Sequence, residues 1–464
     1  MTAMDHKNIA KEIFQSALKA VDPYEAVKPY AEKINVIFQN GLYTRLLVAG
    51  FGKASCYMAK AIEDEFPGKI DAGVIITKYG HSIEQKCGSA EVQKSFKEKN
   101  DSLNKTTGLS NRQGVRIFEA GHPVPDENGI QGTEEIIKLL NDTDEKTLLV
   151  CLISGGGSAL LVSPYENISL KDKQEITGLL LRAGADINEL NTVRKHLSKV
   201  KGGRLAEIAY PARVISLIIS DVIGDKLDVI ASGPTSPDST TYMEALSVIE
   251  KYGLTEKSPQ SVLEVLRKGA TGDIPETPKA DSSIFYDIDN LIIGSNKKAL
   301  ETAKAKADSL ELDAEIFSSE ITGEAKEVAK ELAQKAISIK SSKVQKFKSS
   351  VCLISGGETT VIVKGNGLGG RNMELALAFA FEIEGIEGIT LLSAGTDGTD
   401  GPTDAAGAIV DGQTLTKARS LGLDPQEYLN NNDSYNFFKE IDGLFITGPT
   451  GTNVMDIQII IVGR

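Results

Sequence analysis

Short apolar runs alternate with longer helical patterns along most of this 464-residue chain. Each run has the length of one strand and is bounded by residues such as Gly and Ser, which is typical of strands buried on both faces. This alternation predicts an α/β protein whose sheets are largely parallel. The predicted strands are 46–50, 72–77, 148–154, 214–220, 290–295 and 351–355, and the predicted helices include 53–66, 169–184, 189–208, 296–309, 323–339 and 372–384.

The length predicts more than one domain, because a domain has about 150 residues. We place the first domain over 1–270 and the second over 284–464, since the composition between them is linker-like. A polar stretch at 84–114 carries little apolar content and has no clear period. It predicts a surface insertion in the first domain that is dispensable for chemistry.

Charge and apolar content exclude several classes of protein. The chain has 51 Lys and Arg against 64 Asp and Glu, a net charge of −13. We therefore expect no nucleic-acid partner, because such proteins usually carry a basic footprint. No apolar run approaches the length of a membrane span, and the first 20 residues lack a signal-peptide core. We expect no membrane partner.

The four cysteines, Cys56, Cys87, Cys151 and Cys352, form no CxxC pair, so a zinc site of that type is not expected. Cys151 and Cys352 lie inside apolar runs, where a small buried side chain is the ordinary interpretation. Unpaired cysteines without an export signal predict a cytoplasmic protein.

The 44 glycines collect in loops that follow predicted strands. Glycine lets backbone N–H groups approach an anion closely, and a following helix N-terminus adds partial positive charge. A tight turn explains any single loop equally well, but six loops in one α/β chain favour anion binding. They are GFGKAS at 50–55, SGGGS at 154–158, SGGE at 355–358, GNGLGGR at 365–371, AGTDGTDGPTDAAG at 394–407 and GPTGTN at 448–453.

One pattern occurs twice. VCLISGGGSALL at 150–161 and VCLISGGETTVIV at 351–363 each join an apolar strand to a Ser-Gly-Gly sequence. Coincidence between two buried strands is one explanation. We favour the other, in which two similar α/β domains each present a glycine turn at the carboxyl end of a strand, where ligands of open α/β sheets bind.

The standard nucleotide motifs are largely missing. GKA at 52–54 is not the end of a P-loop, and the chain has no HRD or DFG of a protein kinase. GxGxxG does occur at 365–370, which keeps a dinucleotide-binding alternative open. No acidic residue at the expected distance supports that alternative.

Two cations follow glycine turns directly. Lys53 and Arg371 each lie at the start of a predicted helix, where the helix dipole disfavours positive charge. An anionic ligand explains this placement better than a solvated side chain does, and Arg suits bidentate contact with phosphate or carboxylate. Arg194 is either a further ligand contact or part of a basic helix face.

Aspartates provide candidate metal ligands. Asp397, Asp400 and Asp404 recur in one glycine-rich loop and could bind Mg²⁺. Asp221 and Asp225 follow a predicted strand in the same way. The alternative is that these side chains stabilise turns.

The histidines give little support to hydrolase chemistry. His122 lies in a rigid GHPVPD loop, and the chain has no HExxH and no compelling Ser-His-Asp order.

Together, the motifs resemble the glycerate 2-kinases that carry a C-terminal MOFRL domain. The resemblance spans about residues 8 to 461, and only the stretch 84–114 departs from it. The motifs are GFGKAS, EAGHPVPDENG, LISGGGSALL, LNTVRKHLSKVKGGRLA, SDVIGD, IASGPTSPD, LISGGETTV, GLGGRNMELAL, AGTDGTDGPTDAAGA and TGPTGTNVMD.

The resemblance implies ATP-dependent phosphorylation of D-glycerate at its 2-hydroxyl, with Mg²⁺. It also implies a larger Rossmann-like N-terminal domain, a smaller C-terminal α/β domain with the MOFRL region over 350–460, and an active site in the cleft between them. Lys53 and Arg371 match cleft-facing residues of the family. Some relatives are labelled hydroxypyruvate reductase, so an NAD(P)H-dependent reductase is the alternative.

On this hypothesis the aspartates divide between metal binding and acceptance of the hydroxyl proton, and the division stays open. The sequence does not determine the oligomeric state, and a homodimer is one candidate assembly. The predicted site comprises Lys53, Arg371 and Asp221 as catalytic residues, Arg194 and Asn453 as substrate contacts, Asp225, Asp397 and Asp400 as metal ligands, and Gly52, Ser154, Gly155, Gly156, Gly157, Ser158, Gly356, Gly357, Glu358, Gly369 and Gly370 as nucleotide contacts.

Overall fold

The computed structural model describes residues 3–82, 110–112, 114–341 and 350–463. The strands are β1 (Arg45–Phe51), β2 (Ala72–Lys78), β3 (Ser110–Arg112), β4 (Val115–Ala120), β5 (Thr147–Ile153), β6 (Arg213–Ile219), β7 (Ile288–Gly294), β8 (Asp313–Ile321), β9 (Val351–Gly357), β10 (Ile389–Gly395), β11 (Gly407–Asp411), β12 (Leu444–Phe445) and β13 (Asp456–Val462).

The helices carry the segments between these strands. They are α1 (Ala3–Ala20), α2 (Pro23–Gln39), α3 (Ser55–Glu65), α4 (Glu127–Asn141), α5 (Gly157–Leu160), α6 (Leu170–Ala183), α7 (Ile187–His196), α8 (Arg204–Ala209), α9 (Tyr242–Lys251), α10 (Gln260–Ala270), α11 (Asn296–Ser309), α12 (Ala325–Ser341), α13 (Arg371–Glu382), α14 (Thr414–Ser420), α15 (Pro425–Asn430) and α16 (Ser434–Glu440).

The chain forms two compact units. The N-terminal unit contains Pro23–Ile219 and Asp225–Ile293, and the C-terminal unit contains Met1–Asp22, Ser220–Gly224 and Gly294–Arg464. This division differs from the predicted ranges 1–270 and 284–464 mainly because α1 belongs to the C-terminal unit.

Packing explains the position of α1. Its apolar face, which includes Ile13 and Phe14, is fully buried, and the Phe14 ring packs edge-on against Phe445 at 5.2 Å between ring centroids. Lys7 forms an ion pair with Asp411 at 2.6 Å. The amphipathic pattern of α1 therefore matches a surface that lies more than 400 residues away in sequence.

The N-terminal unit is built on a seven-stranded sheet in the order β3-β4-β2-β1-β5-β6-β7. Neighbouring strands from β4 to β6 pair in parallel, while β3 pairs antiparallel with β4. Every residue of β5 is buried. This sheet confirms the predicted Rossmann-like α/β architecture, including the burial of strands on both faces.

The C-terminal unit has a six-stranded sheet in the order β12-β11-β10-β13-β9-β8. It is mixed: β8 and β9 are parallel, whereas β13 is antiparallel to both β9 and β10. The expectation of a largely parallel sheet is wrong here, because the last strand of the chain inserts between β9 and β10 in the opposite direction. The α/β class itself is confirmed.

Most of the predicted insertion at 84–114 and the whole surroundings of Cys87 lie outside the described residues. Residues 110–112 form the short edge strand β3. Cys151 and Cys352 are fully buried, as predicted, and burial raises the pKa of each thiol to about 12. Within the described ranges, no helix is long and apolar enough to cross a membrane.

Candidate active site

Two glycine turns interlock at the carboxyl ends of β1 and β5. Phe51 and Ile153 are paired at the same level of the sheet, so both strands end together. The backbone N–H of Lys53 donates to the Gly155 carbonyl at 2.9 Å, and the N–H of Ala54 donates to Ser154 Oγ at 3.0 Å. These bonds hold the backbone of Lys53 against the second turn.

Close packing makes glycine necessary in the first turn. Gly52 has a φ of +129°, and an added Cβ would lie 2.2 Å from Ser154 Oγ. That separation is far below van der Waals contact, so any side chain there would push the turns apart. The structure therefore brings together the predicted residues Gly52, Lys53 and Ser154.

Lys53 and His122 both lie against Gly156. An added Cβ on Gly156 would be 2.9 Å from His122 Cδ2 and 3.4 Å from Lys53 Cγ. Partial burial, followed by the charges of Lys53, Lys78 and His81, lowers the pKa of His122 to about 4. His122 is thus a neutral imidazole at pH 7, able to donate one hydrogen bond and accept another.

The second turn presents free backbone donors. The N–H of Gly157 donates to the Ser154 carbonyl at 3.1 Å. No acceptor for the N–H groups of Gly155 or Gly156 is found within the described part of the chain. Successive free N–H groups beside a lysine form a concave site suited to anion binding.

Among the residues that the structure describes, no Asp or Glu forms an ion pair with Lys53. Arg194 lies on α7 and is partly exposed, and burial lowers the pKa of its guanidinium. Ser158 accepts a hydrogen bond from Lys201 at 3.2 Å, so the loop also contacts a buried cation.

In the C-terminal unit, the predicted cation Arg371 is paired with carboxylates. Arg371 forms a bidentate ion pair with Asp456, from Nε to Oδ2 at 2.6 Å and from Nη2 to Oδ1 at 3.0 Å. Its Nη1 lies 2.6 Å from Glu358 Oε1. Burial alone would lower the pKa of Arg371, but the hydrogen bond and charge of Asp456 outweigh that effect and raise it.

Strand pairing explains why these groups meet. Asp456 begins β13 and is paired with Gly357 of β9 on one side and with Gly395 of β10 on the other. Glu358 directly follows β9, and Asp397 lies two residues after β10. An added Cβ on Gly395 would lie 3.4 Å from Asp397 Oδ1 and 3.5 Å from Asp456 Oδ1. The antiparallel insertion of β13 therefore creates a carboxylate cluster.

Glu358 is a carboxyl of this cluster whose pKa is raised. Its side chain is 46% exposed, yet partial burial raises its pKa above the ordinary value. The charges of Asp456 and Asp221 raise the pKa further, against the opposing effect of Arg371. Asp221 is thus an electrostatic neighbour of Glu358, as a member of the same unit.

Asp400 was predicted as a metal ligand, and the structure places it in a helix cap. Its two oxygens accept hydrogen bonds from the backbone N–H groups of Asn372 at 3.1 Å and Met373 at 2.8 Å, at the start of α13. The residue is 2% exposed. Burial raises the pKa of Asp400 to about 7, despite those hydrogen bonds.

The SGGE loop does not form an open turn. Gly356 and Gly357 are the last residues of β9 and are paired with β13. The N–H of Glu358 donates to the Ile321 carbonyl at 2.9 Å. The prediction that this loop holds phosphate oxygens through its backbone N–H groups therefore lacks a free donor at Glu358, in contrast to the turn at 154–158.

The GxGxxG at 365–370 is also not a dinucleotide turn. Thirteen residues separate the end of β9 from the start of α13, whereas that motif needs a strand and a helix joined directly. The N–H of Gly365 donates to Asn432 Oδ1 at 3.0 Å, and the N–H of Gly367 donates to the Asn431 carbonyl at 2.9 Å. These glycines pack the loop against 431–433.

Close contact also explains Gly369 and Gly370, which were predicted as nucleotide contacts. An added Cβ would lie 2.4 Å from Ser434 Oγ at the first position and 2.3 Å from Asp400 Cγ at the second. Both positions need glycine for packing around the start of α13, whatever else they contact.

The remaining predicted residues occupy turns. Asn453 Oδ1 accepts a hydrogen bond from the Met455 N–H at 3.0 Å, just before β13. Asp225 has a left-handed φ of 52° and belongs to the N-terminal unit, while Asp397 Oδ1 accepts from the Thr399 N–H at 3.1 Å in the C-terminal unit. In the ranges that the structure describes, no group of three His, Cys, Asp or Glu residues could hold a metal ion.

Sequence reasoning missed His122, Asp456 and the pairing of Glu358 with Arg371. His122 and Asp456 both lie within motifs that resemble the family, EAGHPVPDENG and TGPTGTNVMD. Their place in those motifs was the available signal, since the strands beside them, β4 and β13, were not among the predicted strands. It does not reveal which cation each one approaches.

Comparisons with known proteins agree with both units. A family model described as a domain of unknown function, DUF4147, matches residues 9–267, and the model of the MOFRL family matches residues 351–456. A D-glycerate 2-kinase of Thermotoga maritima is 45% identical, over 98% of this chain and 97% of its own. This chain belongs to the glycerate 2-kinase family with a C-terminal MOFRL domain.

Other members of the family extend the comparison. A glycerate 2-kinase of Pyrococcus horikoshii is 41% identical over 100% of this chain and 98% of its own. The crystal structure of a glycerate kinase from T. maritima has a TM-score of 0.84 at 44% identity and covers 99% of this chain and 100% of that one. An Agrobacterium vitis relative, 39% identical over 98% of this chain and 94% of its own, carries the provisional name hydroxypyruvate reductase.

Proposed function

We propose that this protein is an ATP-dependent glycerate 2-kinase, which transfers a phosphoryl group to the 2-hydroxyl of D-glycerate. The full-length similarity to proteins named glycerate 2-kinase carries the proposal. The two prepared cations, Lys53 and Arg371, provide the chemistry that such a transfer needs, because phosphoryl transfer depends on positioning and on neutralisation of charge.

Lys53 and the turn at 154–158 bind phosphate oxygens in this proposal. The ammonium of Lys53 has no carboxylate partner among the described residues, so its charge is available to a ligand. The free N–H groups of Gly155 and Gly156 supply further donors without any side-chain rearrangement. His122, held neutral beside Lys53, is able to donate a hydrogen bond there without adding charge.

Arg371 orients an oxyanion while its own position is held. A guanidinium has five N–H donors, and three are directed at Asp456 and Glu358. The two that remain suit a carboxylate or phosphate oxygen of a ligand. We assign Asp456 to positioning of Arg371, and we keep both substrates as candidates for the oxyanion.

A carboxylate must accept the proton of the 2-hydroxyl. Asp221 is the predicted base, and Glu358 is a second candidate because its raised pKa favours the protonated form more than an ordinary carboxylate does. The pair is electrostatically coupled, so removal of one group alters proton affinity at the other.

Mg²⁺ would neutralise charge on the transferring phosphate when bound. The donor chemistry fits, since Mg²⁺ usually takes one or two protein carboxylates together with substrate phosphates and water. Asp397, whose Oδ1 accepts from Thr399 and from no other group among the described residues, is the ligand that we propose from the C-terminal unit, and Asp225 stays a predicted ligand. We assign Asp400 a structural role, because both of its oxygens cap α13.

Product analysis tests this function. The full chain is incubated with ATP, Mg²⁺ and D-glycerate, and ³¹P NMR is expected to show ADP and 2-phosphoglycerate. NADH oxidation with hydroxypyruvate is followed in parallel. Oxidation of NADH without release of ADP would favour the reductase, although the loop at 365–370 gives that alternative no structural support.

A further inference from the structure

Three basic side chains of the N-terminal unit are electrostatically coupled to one another. Lys173 is on α6, Arg194 is on α7, and Lys201 follows in the next loop. Lys201 is fully buried and Lys173 is 5% exposed. The charges of Lys173 and Arg194 both act on Lys201, and that of Arg194 acts on Lys173. We call these three residues the buried cation cluster.

Helix packing brings the cluster together. A capping box at Ser169 and Asp172 fixes the start of α6. Lys173 then shares the buried face of α6 with Ile176 and Leu180, which pack against Val193 of α7 in one hydrophobic core. The packing of two capped helices therefore determines the positions of Lys173 and Arg194, despite the repulsion between their charges.

Hydroxyl groups border the cluster. Lys201 Nζ donates to Ser158 Oγ and to the Ala231 carbonyl, each at 3.2 Å. Ser158 Oγ lies 2.9 Å from Ser232 Oγ, which donates to Asn191 Oδ1 at 3.0 Å. Ser158 is partly exposed, as is Arg194. Through Lys201, the cluster thus contacts the glycine turn at 154–158.

Lys195 provides a comparison, because it is a buried lysine that has carboxylate partners. Lys195 is also buried, but its Nζ lies 3.2 Å from Asp238 and 3.4 Å from Asp228. Lys173 Nζ is buried and has no hydrogen-bond partner, and no carboxylate acts on either Lys173 or Lys201 among the described residues. A buried ammonium without a partner is strongly disfavoured. A ligand of opposite charge would remove that penalty.

We propose that the buried cation cluster is an oxyanion-binding subsite, which accepts a phosphoryl or carboxylate group of a substrate beside Ser158. The identity of the substrate rests on the proposed function, but the subsite itself does not. The oxyanion would enter on the side of Ser158 and Arg194, because these two residues reach the surface.

The experiment measures binding of two separate probes, inorganic phosphate and D-glycerate, to the full chain at pH 7 by isothermal titration calorimetry. Lys173→Met removes the ammonium and keeps the length and apolar character of the stem. Lys171→Met, on the exposed side of the same helix turn, is the matched control.

We expect Lys173→Met to weaken the affinity for at least one probe by about tenfold, while Lys171→Met stays within about twofold of wild type. Loss for phosphate alone would assign the subsite to a phosphoryl group, and loss for D-glycerate alone would assign it to the carboxylate. Unchanged affinity for both probes, or no binding of either probe to wild type, would overturn the proposal.

Proton uptake gives a readout that a purely structural lysine would not alter. Burial, with a smaller contribution from Arg194, lowers the pKa of Lys173 to about 7. Arg194 and Lys201 are the charged groups coupled to it. Titrations near pH 8 in two buffers of different ionisation enthalpy should show proton uptake on binding to wild type and less uptake with Lys173→Met.

Two controls keep the outcomes separate. If Lys173→Met does not fold, Arg194→Gln tests the same subsite from the partly exposed side. Kinase activity is assayed on the same wild-type sample. If wild type has kinase activity but Lys173→Met keeps its affinity for both probes, only the subsite is overturned. If Lys173→Met loses affinity but wild type has no kinase activity, only the proposed function is overturned.

Discussion

The two units differ in the groups that surround their functional cations. In the N-terminal unit, Lys53, Lys173 and Lys201 lack carboxylate partners among the described residues. Lys53 lies beside free backbone N–H groups, and Lys201 donates to Ser158 Oγ. In the C-terminal unit, Arg371 is held by Asp456 and Glu358. We therefore propose that the first unit binds an anion through unpaired donors, whereas the second holds one cation, Arg371, between carboxylates.

Lys53→Met provides the strongest test of the first half of this comparison. We expect kcat/KM with ATP and D-glycerate to fall by about 10²-fold or more, because a preorganised charge for the transferring phosphate is lost. Steady-state kinetics measure the effect. Lys60→Met is the control, since that lysine pairs with Asp64 on the exposed surface of α3. A fall of less than about threefold in Lys53→Met would remove Lys53 from the mechanism.

Asp456→Asn tests the second half. The bidentate partner of Arg371 is lost in a fully buried position, so we expect the free energy of unfolding to fall by about 1–3 kcal/mol. We also expect a loss in kcat/KM, because Arg371 is no longer held. Urea unfolding and kinetics measure the two effects.

Glu384→Gln is the matched control, because Glu384 pairs with Arg419 on the exposed surface, where such pairs contribute about 0–1 kcal/mol. Equal stability losses in Asp456→Asn and Glu384→Gln would contradict the conclusion that buried Asp456 holds Arg371 more firmly than an exposed ion pair would.

A smaller effect concerns pH and the buried cation cluster. The pKa of Lys173 is about 7 in the folded protein and 10.5 in an unperturbed lysine, so the unfolded chain binds more protons between those values. Stability relative to Lys173→Met should therefore rise as pH increases from about 7 towards 10.5. Urea unfolding of both proteins across that range measures it. A constant difference would show that Lys173 keeps its ordinary pKa.

The smallest expected effect is an opposite dependence of stability on pH, caused by Asp400 in the C-terminal unit. Burial raises the pKa of Asp400 to about 7 from 3.8, so the folded protein binds more protons than the unfolded chain between those values. The stability of wild type relative to Asp400→Asn should fall as pH rises from about 4 to 7. Thermal unfolding across that range measures this change. If the stability of wild type relative to Asp400→Asn increased with pH, the pKa of Asp400 would not be raised in the folded protein.

Local patterns were sufficient for much of the fold. The strands β1, β5, β6 and β9 were predictable because a short apolar run between turn residues is typical of a buried strand in an α/β chain. The positions of Lys53 and Arg371 after glycine turns and near helix starts were also predictable from local sequence, whereas their roles in the site stay predictions. Asp400 shows the limit of that reasoning, because a carboxylate in a glycine loop reads equally well as a metal ligand or a cap.

The α/β class, the burial of the strands and the two cations that follow glycine turns can all be derived from the sequence, because these features depend on neighbouring residues. The groups that accompany each cation depend instead on tertiary contacts. Asp456 reaches Arg371 from 85 residues away, because β13 inserts between β9 and β10. Lys173 joins Lys201 through the packing of α6 against α7. Such meetings depend on strand order and helix contacts, which leave no local pattern in the chain.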